Sequence, residues 1–209
     1  MIMGLYKKFV NQTRKPEGFL GKMMVNGMNG GHAKLADWGM AHLDGVDPVK
    51  IAELGCGGGR NTAELLKRYT KATVAALDYS EVSVEKAKTL NKDMIAAGRC
   101  EVIQGNVAEL PFENSSLDLA TAFETVYFWP GLENCFTEVC RVLKTGGTFM
   151  ICNESDGTDE TSLKFEELIE GMKCYTIEEI TAALKAAGFS DVKSDHYNGK
   201  PWITVIARK

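Results

Sequence analysis

The sequence predicts a doubly wound α/β fold: a seven-stranded, mainly parallel sheet covered by helices, with an antiparallel hairpin at its C-terminal edge. From residue 49 to residue 152, short apolar runs typical of strands alternate with segments of helical periodicity. Such alternation indicates a parallel sheet with helices on both faces. The C-terminal end differs, because two strand-like runs flank an Asn-Gly-Lys-Pro turn at residues 198–201. That pattern is typical of a β-hairpin.

Each element has its own local signal. Strands are predicted at residues 49–54, 72–77, 101–104, 117–123, 148–152, 191–197 and 202–207. Apolar residues at helical spacing predict helices at residues 32–43, 61–69, 81–97, 132–143 and 176–187. Gly146 and Gly147 are predicted to close the helix that precedes the fifth strand. Thr176 and Glu179 have the spacing of a capping box, which predicts the start of the last helix.

Length, charge and cysteine spacing exclude several classes of protein. The 209 residues suit one domain at residues 49–209, preceded by a helical lid or cap at residues 1–48. The net charge of −4 gives a nucleic-acid partner no electrostatic support. No apolar run approaches the ~20 residues that span a bilayer, and no signal peptide is evident, so we expect a cytoplasmic protein without membrane insertion. The six cysteines and three histidines lack metal-ligand spacing, which predicts no metal site. The oligomeric state is left open.

The most informative segment is the glycine-rich turn that follows the first predicted strand. From Glu53 it has the pattern Glu-x-Gly-x-Gly-x-Gly, with a predicted helix directly after it. A dinucleotide-binding turn needs a third glycine where this chain has Arg60, and the spacing of a P-loop is also absent. A carboxylate just before the turn disfavours a phosphate and suits a ligand with cationic groups. The amino and sulfonium groups of S-adenosylmethionine are of this kind.

Three further signals follow predicted strands. Asp78 ends the second strand, where a carboxylate can accept hydrogen bonds from ribose hydroxyls. Asn106 lies in the turn after the third strand, and Glu124 follows the fourth. Because the carboxyl ends of parallel strands face one crevice, these positions are expected to meet there.

Together these motifs resemble the class I S-adenosylmethionine-dependent methyltransferases, a Rossmann-like class. The likeness is to the small-molecule branch that includes the ubiquinone and menaquinone C-methyltransferases. It is strong over residues 49–152, and the C-terminal hairpin fits the reversed last strand of that fold. The resemblance implies S-adenosylmethionine as cofactor and S-adenosylhomocysteine as product. It assigns the methionine part to Glu53, Gly55, Cys56 and Gly57, the ribose to Asp78, and the adenine to Tyr79, Asn106 and Val107. Asn106 stands where the family usually has an aspartate.

The acceptor side is less marked, because methyl transfer depends mainly on aligning donor and acceptor. The candidate catalytic residues are Glu124, Tyr127 and His32. Glu124 could act as a base, bind a cationic acceptor or contact the donor. Tyr127, Phe128 and Trp129 either wall the acceptor or pack the loop onto the sheet.

The glycine- and methionine-rich segment at residues 16–43 is predicted to be a mobile lid, with His32 as a base and Trp38 as a lid residue. A fixed helical element is the alternative. The sequence favours methylation of a small molecule on O, N, S or C. A non-catalytic S-adenosylmethionine-binding module and a nucleotide-dependent oxidoreductase are the other hypotheses.

Overall fold

The computed structural model of the protein describes residues 10–14, 16–17 and 32–209. The helices are α1 (Ala33–Ala41), α2 (Arg60–Arg68), α3 (Glu81–Leu90), α4 (Lys92–Ala96), α5 (Leu132–Val142), α6 (Glu160–Leu168) and α7 (Ile177–Ala186). The strands are β1 (Lys50–Leu54), β2 (Thr73–Asp78), β3 (Cys100–Gln104), β4 (Leu117–Phe123), β5 (Leu143–Asn153), β6 (Asp191–His196) and β7 (Ile203–Arg208). Short 3₁₀ turns lie at Asn11–Thr13 and Val126–Phe128.

The seven strands form one sheet in the order β3-β2-β1-β4-β5-β7-β6. The first five strands run parallel, and β7 is antiparallel to both β5 and β6. The predicted fold class is therefore confirmed. The strand order reverses between β1 and β4, and in doubly wound sheets ligands bind at this reversal. The glycine turn after β1 and the segment that begins with Glu124 after β4 flank that point.

A hydrophobic core lies on each face of the sheet. One face buries Phe136 of α5 and Phe149 of β5, together with Leu184 of α7. The other face buries Leu65 of α2 and Leu35 of α1. Both faces are covered, as the near-continuous apolar strands require.

Helix α1 belongs to the second core. Leu35, Met40 and the following Leu43 are buried, and Gly39 lies so close to β5 that an added Cβ would be 2.6 Å from the sulfur of Cys152. This part of the predicted lid is thus packed against the sheet. The other part, including Gly18, Gly21, Gly27, Gly30, Gly31, Met23, Met24 and Met28, lies within residues 18–31, outside the described residues.

The prediction of one helix over residues 81–97 is wrong. Asn91 lies between α3 and α4, and its side-chain amide donates to the carbonyl oxygens of Gly59, at 3.1 Å, and Ala87, at 3.0 Å. An amide side chain that bonds to backbone carbonyls competes with the helical hydrogen bonds at that point. The same bond ties α3 to the glycine turn.

The predicted glycine cap before β5 is also wrong. Helix α5 ends at Val142, and β5 begins at Leu143, which is buried and pairs with Leu117 of β4. Gly146, with φ +80°, lies inside an irregular stretch of β5. Burial of Leu143 between strand and helix outweighs the local signal of the two glycines.

The last helix follows its local signals. Thr176 and Glu179 form the predicted capping box in full. At the other end, Gly188 has φ +102°, and the N–H groups of Gly188 and Phe189 donate to Lys185 and Leu184. This pattern is a Schellman motif, which a glycine in the left-handed region permits. Across the described residues, no helix combines the length and hydropathy needed to cross a bilayer.

Candidate functional site

A cavity of about 530 Å³ opens at the carboxyl ends of β1, β2 and β4 and at the turn after β3. This volume lies in the range of small-molecule sites. Nine of the residues predicted for cofactor or catalysis line it: His32, Gly55, Cys56, Gly57, Asp78, Tyr79, Asn106, Val107 and Glu124. Glu53 and Tyr127 do not line it, and neither does Trp38. Distant sequence signals therefore converge at one edge of the sheet.

The glycine turn has a conformation that other residues would not adopt easily. Gly55, Gly57 and Gly59 have φ values of +80°, +51° and +79°. A Cβ on Gly55 would lie 2.1 Å from Oγ1 of Thr125, and one on Gly59 would lie 2.9 Å from Ala87. At Gly57 an added Cβ meets nothing within 4 Å, because that side faces the cavity. Gly57 therefore leaves the cavity floor open for a ligand to lie against the backbone.

Asp78 is held by the turn that it faces. Its Oδ2 accepts from the N–H of Gly57 at 2.8 Å, and its Oδ1 accepts from the N–H of Ser80 at 2.9 Å. The side chain is buried, and this burial raises the pKa of the carboxyl, against the hydrogen bonds that lower it. Each carboxylate oxygen has a further lone pair that can accept a second hydrogen bond. Asp78 can thus order the glycine turn and accept hydrogen bonds from a ligand.

The far end of the cavity, beyond Asp78, has an aromatic and an amide side chain. Tyr79 is 41% exposed, and its hydroxyl donates to the carbonyl of Arg14. The amide oxygen of Asn106 accepts from the N–H of Ala108 at 3.0 Å, which leaves one acceptor position. Val107 is buried beside it. A flat apolar wall with neighbouring acceptor groups is suited to a nucleobase.

The surroundings of Glu53 differ from those predicted, because its side chain is buried and does not line the cavity. It is 1% exposed, and its carboxyl accepts a hydrogen bond from the hydroxyl of Thr62 behind the glycine turn. Burial raises its pKa to about 8, although Thr62 lowers it. A group that holds its proton at neutral pH does not provide the expected negative charge. Glu53 can therefore affect a ligand only indirectly, by supporting the glycine turn.

This burial predicts a pH dependence for Glu53→Gln. The ordinary pKa of a glutamate, 4.5, applies to the unfolded chain, and the folded value is about 8. The contribution of Glu53 to the stability of the folded protein is therefore fully present below pH 4.5 and is lost as the pH rises towards 8, because the unfolded chain releases the proton first. Glutamine keeps an acceptor for Thr62 and has no proton to lose. We expect Glu53→Gln to unfold with a free energy roughly 2–4 kcal/mol higher than wild type at pH 8.

Urea unfolding at several pH values measures this difference, which should shrink towards pH 4.5. Glu101→Gln, at an exposed glutamate on β3, is the control and should leave the profile of the wild type unchanged. Parallel pH profiles for wild type and Glu53→Gln would show that Glu53 is ionised in the folded protein.

At the β4 end, Glu124 is the centre of an acidic cluster. It has φ +58°, and its side chain is 9% exposed. Its Oε1 accepts from the backbone N–H of Glu154 and from the hydroxyl of Tyr127 at 3.2 Å. Burial, together with the carboxylate of Glu154, raises its pKa well above the ordinary value. Since Oε1 already accepts two hydrogen bonds, Oε2 is the oxygen of Glu124 that is available to a proton or a ligand.

His32 completes this cluster. Its Nδ1 is 3.9 Å from Oε2 of Glu124, and its Nε2 is 3.8 Å from Oε1 of Glu154. The three groups lie within 4.8 Å of one another. That spacing could also admit a divalent cation, and the absence of a metal site stays a prediction. The side chain of His32 is 30% exposed and lines the cavity, so the imidazole lies between the cavity and the carboxyl of Glu124.

Tyr127 lies behind Glu124 and not in the cavity. Its hydroxyl donates to Glu124 and accepts from the N–H of Ser155 at 3.1 Å, and the ring is buried. Phe128 and Trp129 do line the cavity, and Trp129 also stacks on Phe149 of the core. The aromatic segment thus both lines the cavity and packs onto the core, and its contact with an acceptor stays a prediction. Tyr127 therefore orients Glu124, and a catalytic role for Tyr127 stays a prediction.

Trp38 also lies away from the cavity. Its ring packs edge-on against Tyr197 and beside Trp202 of the hairpin, and His42 contacts the same ring. The prediction that Trp38 is a lid residue is wrong, because the outward face of α1 meets β6 and β7. A helix pattern indicates which residues share a face, but not what that face meets.

Several cavity residues were not among the predicted site residues. Thr125 packs over Gly55, Glu154 joins the acidic cluster, and Arg60 borders the glycine turn. Arg14 and Pro16 bridge the cavity mouth, since the carbonyl of Pro16 accepts from the hydroxyl of Ser80 at 2.9 Å. Only Arg60 had a recognisable position, directly after the glycines.

Comparison with known proteins agrees with this geometry. The family described as "Methyltransferase domain" matches residues 52–151, from β1 to β5. Residues 52–151 of this chain thus correspond to a methyltransferase domain. The cofactor of this domain is S-adenosylmethionine, and the open cradle at Gly57 with the buried acceptor Asp78 fits that ligand. The prediction of the class is confirmed, and the ubiquinone-type branch stays a prediction.

The methyltransferase domain has relatives in sequence and in structure. A sterol 24-C-methyltransferase of Gibberella zeae is 29% identical over 178 residues, which are 78% of this chain and 47% of that protein. The chain thus spans about half the length of the curated relatives it matches. A Haloferax volcanii methyltransferase, solved with the activator Trm112, has a TM-score of 0.81 at 19% identity, covering 88% of this chain and 92% of that one.

A second similar structure shows that this fold does not by itself fix the reaction. The [4+2]-cyclase SpnF has a TM-score of 0.68 at 16% identity, covering 84% of this chain and 80% of that one. A protein named for a cyclisation therefore shares the fold of the methyltransferase domain. The reaction of the present chain therefore depends on the residues of its own cavity and not on the fold.

Proposed function

We propose that this chain transfers a methyl group from S-adenosylmethionine to a small-molecule acceptor bound at the Glu124 end of the cavity. The observation that carries the proposal is the order of groups along that cavity. Tyr79 and Asn106 suit adenine, Asp78 suits the ribose, and the Gly57 cradle suits the methionine part. The next position along the sheet is Glu124, with His32 beside it. When bound, the sulfonium supplies an electrophilic methyl group with a good leaving group.

The chain's own residues position the acceptor and move a proton. The glycine turn and Asp78 fix the donor side, which brings most of the rate gain through alignment. Phe128 and Trp129 form an apolar wall that excludes water from the acceptor. Tyr127 and the N–H of Glu154 hold Oε1 of Glu124, so that Oε2 faces His32. The positive charge of the donor's sulfonium favours ionisation of Glu124. His32 or the ionised Glu124 can then take a proton from the acceptor.

The chemistry of the acceptor is bounded by the wall and the acidic cluster. An acceptor that is mainly apolar fits Phe128 and Trp129, and one that carries or develops positive charge fits the two carboxyl groups. The curated relatives are named for methylation of sterol carbon, and an acceptor carbon is consistent with this site. A non-catalytic S-adenosylmethionine-binding module is the second candidate, and the acidic cluster beside the donor end disfavours it.

Donor selectivity is the first test. We expect S-adenosylhomocysteine to bind with a dissociation constant in the micromolar range and NAD to show no binding, because Arg60 replaces the third glycine of a dinucleotide turn. Isothermal titration calorimetry measures both. Binding of NAD without binding of S-adenosylhomocysteine would contradict the proposal and support the oxidoreductase hypothesis. Incubation with isotope-labelled donor and a cell extract, followed by mass spectrometry, identifies the acceptor, and no labelled product would favour the binding module.

The lid predicted at residues 16–43 stays a prediction, which hydrogen exchange can test. Helix α1 is packed into the core, so its amides should already be protected from hydrogen exchange in the free protein. Residues 16–31 should gain protection when S-adenosylhomocysteine is added. Strong protection of residues 16–31 without ligand would establish the fixed element instead.

A further inference from the structure

The donor carries one negative group, the carboxylate of its methionine part, and the cavity offers few cations for it. Of the cavity-lining residues that the structure describes, Arg14 and Arg60 have a permanent positive charge. Arg14 belongs to the adenine end, because its carbonyl accepts from Tyr79, and its guanidinium donates to the carbonyl of Glu170 at 2.8 Å. Arg60 directly follows the glycine turn. It is thus the described cation at the methionine end.

The guanidinium of Arg60 is held but not saturated. One nitrogen donates to Oδ1 of Asp37 at 2.5 Å, and another donates to Oδ1 of Asn61 at 2.9 Å. These bonds use two of the five N–H donors of an arginine. The side chain is 22% exposed, whereas that of Asp37 is 58% exposed, so the pair lies at the cavity rim. Asp37 fixes the direction of the guanidinium from helix α1.

The local field also favours an anion at this position. Arg60 is the first residue of α2, where the N-terminal N–H groups of the helix carry partial positive charge. Elsewhere the described cavity wall has the carboxyl groups of Asp78 and Glu124, which disfavour a carboxylate. A guanidinium forms paired, charge-assisted hydrogen bonds with a carboxylate. Charge and geometry therefore select the same residue.

We propose that Arg60 binds the carboxylate of the donor's methionine part and that Asp37 is a positioning residue for Arg60; this inference rests on the proposed function. Arg60 then distinguishes donors with the intact amino-acid portion from nucleosides that lack it. The same pair links the donor to α1, the helix that begins next to His32. Binding of the donor at one end of the cavity is thereby coupled to the helix that positions the histidine at the other.

The test compares two ligands that differ in this portion. S-Adenosylhomocysteine contains the carboxylate, and 5′-methylthioadenosine has the same nucleoside and sulfur without the amino-acid group. In calorimetry on the whole chain, Arg60→Gln should weaken S-adenosylhomocysteine about 10- to 100-fold and leave 5′-methylthioadenosine within about twofold of wild type. Arg60→Lys should lose less affinity for S-adenosylhomocysteine than Arg60→Gln, and Asp37→Asn should lose less affinity than Arg60→Lys. Neither variant should change the affinity for 5′-methylthioadenosine.

A matched control lies on the same helix. Arg68, at the end of α2, forms an ion pair with Asp44 after α1 and lies outside the cavity wall. Arg68→Gln should leave both dissociation constants unchanged. Equal weakening of both ligands by Arg60→Gln, or no weakening of either, would overturn the inference. If wild type binds neither ligand, the proposed function fails. If wild type binds both ligands and Arg60→Gln binds both as wild type does, only the role of Arg60 fails.

Discussion

Replacing Gly57 by valine should abolish measurable binding of S-adenosylhomocysteine, with at least about a 100-fold rise in the dissociation constant. An added Cβ at Gly57 projects into the cavity, where no protein atom lies within 4 Å. A branched side chain would occupy the space assigned to the methionine part and would keep the ligand away from the backbone of the turn. Each lost 1.4 kcal/mol corresponds to a factor of ten in affinity, so the loss of these contacts suffices. Calorimetry measures the loss.

Backbone strain must be separated from the blocked cavity. Gly57 has φ +51°, where valine is strained by about 1–3 kcal/mol. Gly98 has φ +68° and equally open surroundings, but it lies in the turn before β3, away from the cavity. Gly98→Val should therefore lose similar stability in thermal unfolding and keep its affinity for S-adenosylhomocysteine. If Gly57→Val still bound the ligand as wild type does, the methionine part would not lie on this turn.

Removing the carboxylate of Asp78 should weaken the binding of S-adenosylhomocysteine by about 1.5–3 kcal/mol, or roughly 10- to 150-fold. Asp78→Ala loses the charge-assisted hydrogen bonds proposed to the ribose hydroxyls. It also releases the N–H of Gly57, so the glycine turn becomes less ordered. The change is measured by calorimetry against the same ligand, with adenine-only ligands expected to be less affected.

Asp118 provides a control with a similar structural role. Its carboxylate accepts from the N–H groups of Val49, at 3.0 Å, and Lys50, at 2.8 Å, before β1. This site lies at the opposite end of the parallel strands from the cavity. Asp118→Ala should lower the unfolding temperature and leave affinity unchanged. An Asp78→Ala variant with unchanged affinity would move the ribose site elsewhere.

The sequence by itself determined the class of fold and most of the residues that line the end of the cavity assigned to the donor. Periodicity depends on which residues face the core, and the parallel sheet with its hairpin followed from it. Gly55, Gly57, Asp78 and Asn106 were recognisable because each follows a strand, and parallel strands end at one edge of the sheet. The errors at Asn91 and Leu143 arose where a tertiary hydrogen bond or burial outweighed local preference.

The tertiary structure decided the groups that come from distant parts of the chain. His32 and Glu154 lie 92 and 30 positions from Glu124 in the sequence, yet the fold places all three within 4.8 Å. No local pattern encodes such a meeting, because it depends on how α1 packs across β5. The same packing places Trp38 against the hairpin and Asp37 beside Arg60. Burial likewise changed the chemistry of Glu53, since a carboxyl removed from water keeps its proton at a pH where an exposed one does not.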